Sequence, residues 1–149
     1  MENIFESFVI SVLKLNRLVS RIKMHEMKEY GLKSIHVMCI YYLNASSSGM
    51  TASELMRVTF EDKAAISRAL ALLREKNYIE YDDKKYNSII KLTADGVGVA
   101  DYITLKADKA VAAGMTDMTD EERVIFYKHL NEIADNLIVY YSRLSESEA

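Results

Sequence analysis

Asp62-Lys63-Ala64-Ala65-Ile66-Ser67-Arg68-Ala69-Leu70, running on through Leu73, Arg74 and Lys76 to Asn77, governs how the rest of the chain is read. Ile66, Leu70 and Leu73 recur at steps of four and three, the spacing of one buried helical face. Lys63, Ser67, Arg68 and Arg74 fall largely on the opposite face, so the segment from Asp62 to Lys76 reads as an amphipathic helix with a polar, basic exterior. Asn77 stands where that helix should stop, and asparagine is the best non-glycine residue for a left-handed C-terminal cap.

Reading outward, Thr51-Ala52-Ser53-Glu54 is a capping-box pattern that opens a short helix to about Val58. Before it, Ser34 is expected to cap a helix to about Asn44 with Ile35, Met38, Cys39, Tyr42 and Leu43 turned inward, and Ala45 to Gly49 has the chemistry of a loop. After the basic helix, Tyr78-Ile79-Glu80-Tyr81 and Ser88-Ile89-Ile90-Lys91-Leu92 read as two strands of a hairpin with the charged tip Asp82 to Asn87. Thr93 can cap a helix from Ala94 towards Ala113, ended by Gly114. Helix, short helix, basic helix and hairpin in this order are the layout of a winged helix-turn-helix.

The two ends are longer helices. From Ile4 to about Lys28, Phe5, Phe8, Val12, Leu15, Val19 and Ile22 form one stripe, widened by Val9, Leu13 and Leu18. Thr119-Asp120-Glu121-Glu122 is a second capping box, and the helix it opens carries Tyr127, Leu130, Ala134, Leu137, Tyr141 and Leu144 as a strict seam. That seam favours contact between subunits over packing on its own domain. The expected class is mainly α with a small β-hairpin wing: a winged helix-turn-helix plus N- and C-terminal dimerisation helices. Residues 1–149 form a single domain in this reading, with a DNA-binding core at about 31–96 and helical dimerisation regions at 1–30 and 97–149.

Composition narrows function. Half of the 149 residues are apolar and 28% charged, a globular balance, and no segment has the roughly 18 uninterrupted apolar residues of a spanning helix. The first eight residues carry Glu2 and Glu6 and no basic flank or cleavage site, so the expected location is cytoplasmic, without membrane contact. Cys39 is the single cysteine; between Met38 and Ile40 it reads as a buried inert thiol. The net charge of -3 hides an uneven distribution. The first fifty residues carry six basic against four acidic residues and Thr51 to Thr93 eight against seven, whereas the remainder carries five against eleven. A polyanion must therefore meet the first two thirds of the chain, where the geometry of the cations outweighs their sum.

At this point the sequence resembles the MarR family from about Gly31 to Gly96, and more loosely throughout. Asp62 to Leu70 with Leu73, followed by Lys76-Asn77-Tyr78-Ile79, is similar to the family's recognition helix ending in a lysine, a glycine and two apolar residues. Leu92-Thr93-Ala94-Asp95-Gly96 is similar to the Leu-Thr-x-x-Gly that closes its wing. The resemblance implies a homodimer held by its first and last helices, binding a pseudo-palindromic double-stranded operator with two recognition helices in successive major grooves. It also implies regulation, usually repression, relieved by a small phenolic or other effector or by oxidation. Two departures stand out. Lys84 and Tyr86 lie near the places of the family's wing-tip Asp and minor-groove Arg, with Lys85 as a substitute cation, and Asn77 replaces the usual glycine.

The residues assigned to DNA on these grounds are Ser34, Thr51, Ser53, Lys63, Ala64, Ala65, Ser67, Arg68, Arg74, Lys84, Lys85 and Tyr86. Lys63, Ser67 and Arg68 are donors for base edges and phosphates, Ala64 and Ala65 let the backbone approach, and Arg74 suits a phosphate better than a base. Phe5, Phe8, Val12, Tyr127, Leu130, Leu137, Tyr141 and Leu144 are assigned to the dimer, and His36 to an effector pocket. His25, His36 and His129 are too dispersed for zinc, and there is no Gly-x-Ser-x-Gly, P-loop, His-Glu-x-x-His or dinucleotide fingerprint, so no metal, cofactor or enzymatic activity is expected. The rival reading is a winged-helix protein-interaction or anti-regulator module without DNA binding, suggested by the sequence pI of 5.6 and a wing without arginine.

Overall fold

A computed structural model describes residues 3–147 of the chain. The side chain of Phe5 lies outside the described residues, and with it the dimer role expected of Phe5. The chain divides into two units, one up to Ala110 and one from Val111.

The first unit begins with α1 (Ile4–Glu26), whose N-cap Asn3 accepts the amide of Glu6 at 3.3 Å. A 3-10 turn (Lys28–Tyr30) ends in a left-handed Gly31 at φ 64° and leads to α2 (Ser34–Ala45). Then come α3 (Ala52–Thr59), α4 (Lys63–Glu75), β1 (Ile79–Glu80), β2 (Lys91–Leu92) and the start of α5 (Ala94–Gly114). Leu43, Leu55, Ile66, Leu73, Ile79, Ile90, Val99 and Ile103 are all at most 6% exposed, so every element from α2 to α5 except β2 sends side chains into one core. Each such side chain stabilises the unit by about 1.5–3 kcal/mol relative to exposure. Glu26 and Lys106, 2.6 Å apart, tie the end of α1 to α5 beside the Tyr30–Tyr102 aromatic pair.

The local expectations hold where they rest on nearest-neighbour chemistry. Thr51 Oγ1 accepts the Glu54 amide at 3.2 Å while Glu54 Oε2 accepts the Thr51 amide at 2.7 Å, the reciprocal capping box. Asp62, read from the sequence as the first residue of the basic helix, is its N-cap, with Oδ1 accepting the Ala65 amide at 2.7 Å. Asn77 takes φ 60°, its amide bonding Arg74 O at 2.9 Å and that of Tyr78 bonding Leu73 O at 2.9 Å, which is the Schellman termination.

Three expectations need correction. Ser34 does not cap α2: the helix starts one residue earlier, Ser34 being its first member, and the extended residue before it is Lys33 at ψ 170°. The Lys33 amide is taken by His36 Nδ1 at 2.9 Å. The strands are shorter than the apolar runs, pairing only Ile79 with Leu92 and Glu80 with Lys91: at one end the Tyr78 amide is already spent on the helix cap, and towards the tip Ile90 gives its amide and carbonyl to Met50. The hairpin is also not alone. Met50 and Ile90 exchange backbone bonds of 3.1 and 2.8 Å, adding the residue before the α3 cap as a third short rung. Gly49, at φ 78°, makes this approach possible, since a Cβ there would stand 2.4 Å from Ile90 O.

The second unit is the end of α5, a turn, and α6 (Asp120–Ser147). Its capping box forms as expected, Thr119 amide to Glu122 Oε2 at 2.8 Å and Glu122 amide to Thr119 Oγ1 at 3.2 Å. Arg123 bonds Met115 O at 3.0 Å and so fastens the turn to the first part of α6. No described residue of α6 is buried, although the helix is 28 residues long.

Candidate nucleic-acid interface

Burial of Ile66, Ala69, Leu70 and Leu73 fixes the rotation of α4 and leaves Lys63, Ala64, Ser67, Arg68, Ala71 and Arg74 exposed. Lys63 and Ser67 stand one turn apart, as do Ala64 and Arg68, so the outer face offers two long cations, a hydroxyl and low relief along its first two turns. Ala65 is half-buried behind them. At 13 residues α4 is about 20 Å long, and one helix of that width suits a major groove of about 12 Å.

α3 meets α4 through a left-handed turn at Phe60, φ 57°, which brings the N-terminal part of α3 beside the wing. Ser53 is exposed there and its Oγ donates to Asn87 Oδ1 across 3.3 Å. Thr51 is half-buried with its hydroxyl in the capping box, and Ser34 is half-buried at the start of α2. The wing tip folds on itself: Asp82 accepts the Lys84 amide through its carboxylate at 3.0 Å and the Lys85 amide through its carbonyl at 3.3 Å. Lys84, Lys85 and Tyr86 are exposed, Tyr86 at 98%. Arg74 has a partner that the sequence reading missed. Its Nη1 lies 3.0 Å from Asp83 Oδ2 and its guanidinium sits 4.7 Å above the centre of the Tyr81 ring. Opposite charges nine residues apart on either side of a chain reversal were the available signal.

His36 is 7% exposed, with Nδ1 committed to the Lys33 amide. Two surface grooves, of about 200 and 380 Å³, are lined by other residues, around Leu43 and Lys91 in the first and Tyr81 and Ile89 in the second. Burial, then the charges of Lys33 and Lys76, hold the His36 imidazole below its usual pKa. The native chain therefore binds fewer protons here than the unfolded one. The stability linked to this residue is intact above about pH 6.5 and is lost as pH falls through that value towards the folded-state pKa. Urea denaturation at about pH 7.5 and 5.5 should show a lower midpoint at the acid pH. In His36→Gln, whose amide oxygen can take the same N–H, that decline should flatten; an undiminished decline would remove His36 as its source. Cys39 is fully buried, and burial followed by the nearby charge of Glu61 pushes its thiol up to about 12, far from the thiolate that oxidation requires. Among the described residues no group of three or more His, Cys, Asp or Glu could hold a metal ion, and no helix is long and apolar enough to cross a membrane.

Among the described residues, those assigned to the dimer are exposed along their helices. Phe8 and Val12 on α1 are 41% and 45% exposed. On α6, Tyr127, Leu130, Leu137, Tyr141 and Leu144 range from 41% to 70%.

No protein-family model matches the sequence, and none of the curated proteins does. Solved structures do. A MarR protein from Peptoclostridium difficile is 20% identical, with 92% of this chain and 91% of that one covered at a TM-score of 0.81. A MarR transcriptional regulator from Methanosarcina mazei is 18% identical over 93% and 92% of the two chains, also at 0.81. S. aureus MepR, solved as a DNA complex, is 16% identical over 88% and 95% at 0.72. The agreement extends over about nine tenths of each chain, so this chain, with its six helices and two-stranded antiparallel hairpin, has the MarR-type winged helix fold.

Proposed function

We propose that the protein is a homodimeric, sequence-specific DNA-binding transcriptional regulator of the repressor kind, acting in the cytoplasm without catalysing a reaction. The observation that carries this reading is the outer face of α4, where Lys63, Ser67 and Arg68 stand exposed on a helix whose inner face is locked in the core, with the Lys84-Lys85-Tyr86 tip beside it. A face of that width and charge suits a major groove, and the wing cations suit the neighbouring backbone or minor groove. The solved MepR complex is that of a protein of this fold with DNA, which supports DNA as the partner here.

Dimerisation follows from a physical deficit. Helices in proteins draw most of their stability from packing an apolar face, and α6 has 28 residues and none buried. Its apolar stripe, like that of α1, needs a second surface, and a twofold copy of the same chain supplies one with the matching pattern. A dimer also presents two α4 helices, as a pseudo-palindromic operator requires. Small-molecule control belongs to the same proposal through the family resemblance. An effector reaching His36 would have to open the start of α2, because the ring is buried in its cap.

The test is a gel shift on the DNA upstream of the coding region, repeated across salt concentrations. Binding should weaken steeply as salt rises, because phosphate contacts release counterions. Arg68→Ala should weaken operator binding by about 1–3 kcal/mol, a five- to hundredfold loss. Unchanged affinity would take Arg68 out of the interface. Absence of any duplex affinity at low salt, with the dimer intact, would favour a protein-interaction module instead.

A further inference from the structure

The wing leaves α4 through the left-handed Asn77 and is gripped from outside at two points. Arg74, in the last turn of α4, pairs with Asp83 at 3.0 Å and lies over the Tyr81 ring at 4.7 Å. Ser53, in the first turn of α3, reaches Asn87 at 3.3 Å, and Asn87 itself holds a left-handed φ of 54°. Asp83 and Asn87 bracket Lys84, Lys85 and Tyr86. Inside the bracket, both lysine amides already bond to Asp82.

We propose that Arg74 and Ser53 are positioning residues that hold the wing tip preformed against the helix-turn-helix, rather than residues that touch DNA. The purpose of this restraint rests on the DNA-binding reading; the restraint itself belongs to the free protein. A mobile tip must be ordered when it meets a duplex, and that ordering weakens binding, whereas a tip already held loses little. The arginine has a second effect. Asp83 sits next to the two lysines that would approach phosphate, and a bare carboxylate there repels the duplex, so pairing it with Arg74 removes the repulsion without lengthening the wing. A planar guanidinium can grip the carboxylate with its edge and the tyrosine ring with its face, which lysine cannot do. The Arg74 and Asp83 side chains are 41% and 62% exposed, so the ion pair alone is weak and screened by salt. The stack on Tyr81 and the Ser53 tie supply the rest.

Hydrogen exchange on the full-length protein without DNA tests this. Amides of Lys84 and Lys85 should exchange about three- to tenfold faster in Arg74→Ala and in Asp83→Asn, and the double variant should exchange no faster than the faster single one, since both substitutions break one contact. Ser53→Ala should give a smaller acceleration at the same amides. Arg74→Lys should fall between wild type and Arg74→Ala, and exchange at Leu70 in α4 should not change in any of them. Wing exchange in Arg74→Ala equal to that of wild type, or additive effects of the two substitutions, overturns the proposal. A parallel titration of each variant with a mixed-sequence duplex of about 30 base pairs at low salt separates the restraint from its purpose. Failure of the wild-type protein to bind would sink the regulator reading and leave the exchange result standing.

Discussion

Replacing Leu130 and Leu137 together with aspartate should turn a species of twice 17.0 kDa into one of 17.0 kDa at micromolar concentration. The two leucines are seven residues apart on one stripe of α6 and are 45% and 52% exposed. About half of each side chain thus remains to be covered by a partner. At about 1.5–3 kcal/mol for a whole leucine, half of each of the four in a symmetric dimer amounts to roughly 3–6 kcal/mol, or two to four orders of magnitude in the dissociation constant. Four carboxylates placed in the seam would have to be desolvated or neutralised, which adds to the loss. Helicity should fall as well, because no residue of α6 is fully buried within its own chain. Light scattering and circular dichroism read both effects. A double variant that keeps twice the monomer mass would show that the α6 stripe is not the dimer surface and would return it to some other partner.

The second large effect should come from the smallest substitution, Gly96→Ala. A Cβ on Gly96 would lie 1.9 Å from Tyr78 O and 2.9 Å from Tyr78 C, both backbone atoms that cannot rotate away. The first turn of α5 rests on that carbonyl through the Thr93 amide at 3.1 Å, while Thr93 Oγ1 donates to Asn77 O at 2.6 Å and accepts the Gly96 amide at 3.1 Å. Relieving the clash means moving α5 off the wing base and breaking these bonds, each worth about 1 kcal/mol. A loss of about 3 kcal/mol or more is expected, the range of core overpacking combined with a broken cap. Gly98 supplies the internal control. It lies one half-turn further along the same helix, and a methyl added there would meet nothing within 4 Å, so Gly98→Ala should gain up to about 1 kcal/mol from helix propensity. Urea denaturation at one protein concentration compares the two. A Gly96→Ala protein as stable as wild type would mean that the approach of α5 to Tyr78 is not tight.

Most of the architecture could be read in the sequence because most of its signals are local. The capping boxes at Thr51 and Thr119 and the Asn77 stop all form through bonds between residues at most five positions apart. Two of the misreadings are local as well, wholly or in part, but at the limit of what residue type reveals. Ser34 and His36 can each accept an amide at the start of α2, and only the backbone bend at Lys33 decides between them. The wing strands end early because the Tyr78 amide serves the helix cap at one end and Ile90 turns its amide and carbonyl to Met50 towards the other.

The candidate site divides in the same way. The alternation of Ile66, Leu70 and Leu73 with Lys63, Ser67 and Arg68 determined by itself which face of α4 is turned outward, since a helix with one apolar side has only one way to bury it. Tertiary structure alone decided that Arg74 is held by Asp83 and Tyr81, that Ser53 reaches Asn87 across 34 positions, that Met50 pairs with Ile90, and that Gly96 must stay bare beneath Tyr78. Ser53 and Asn87, Met50 and Ile90, and Tyr78 and Gly96 come from separate segments, and even Arg74 and Asp83, nine positions apart across the reversal into the wing, meet only because whole elements come to rest on a shared core, which residue spacing alone does not encode.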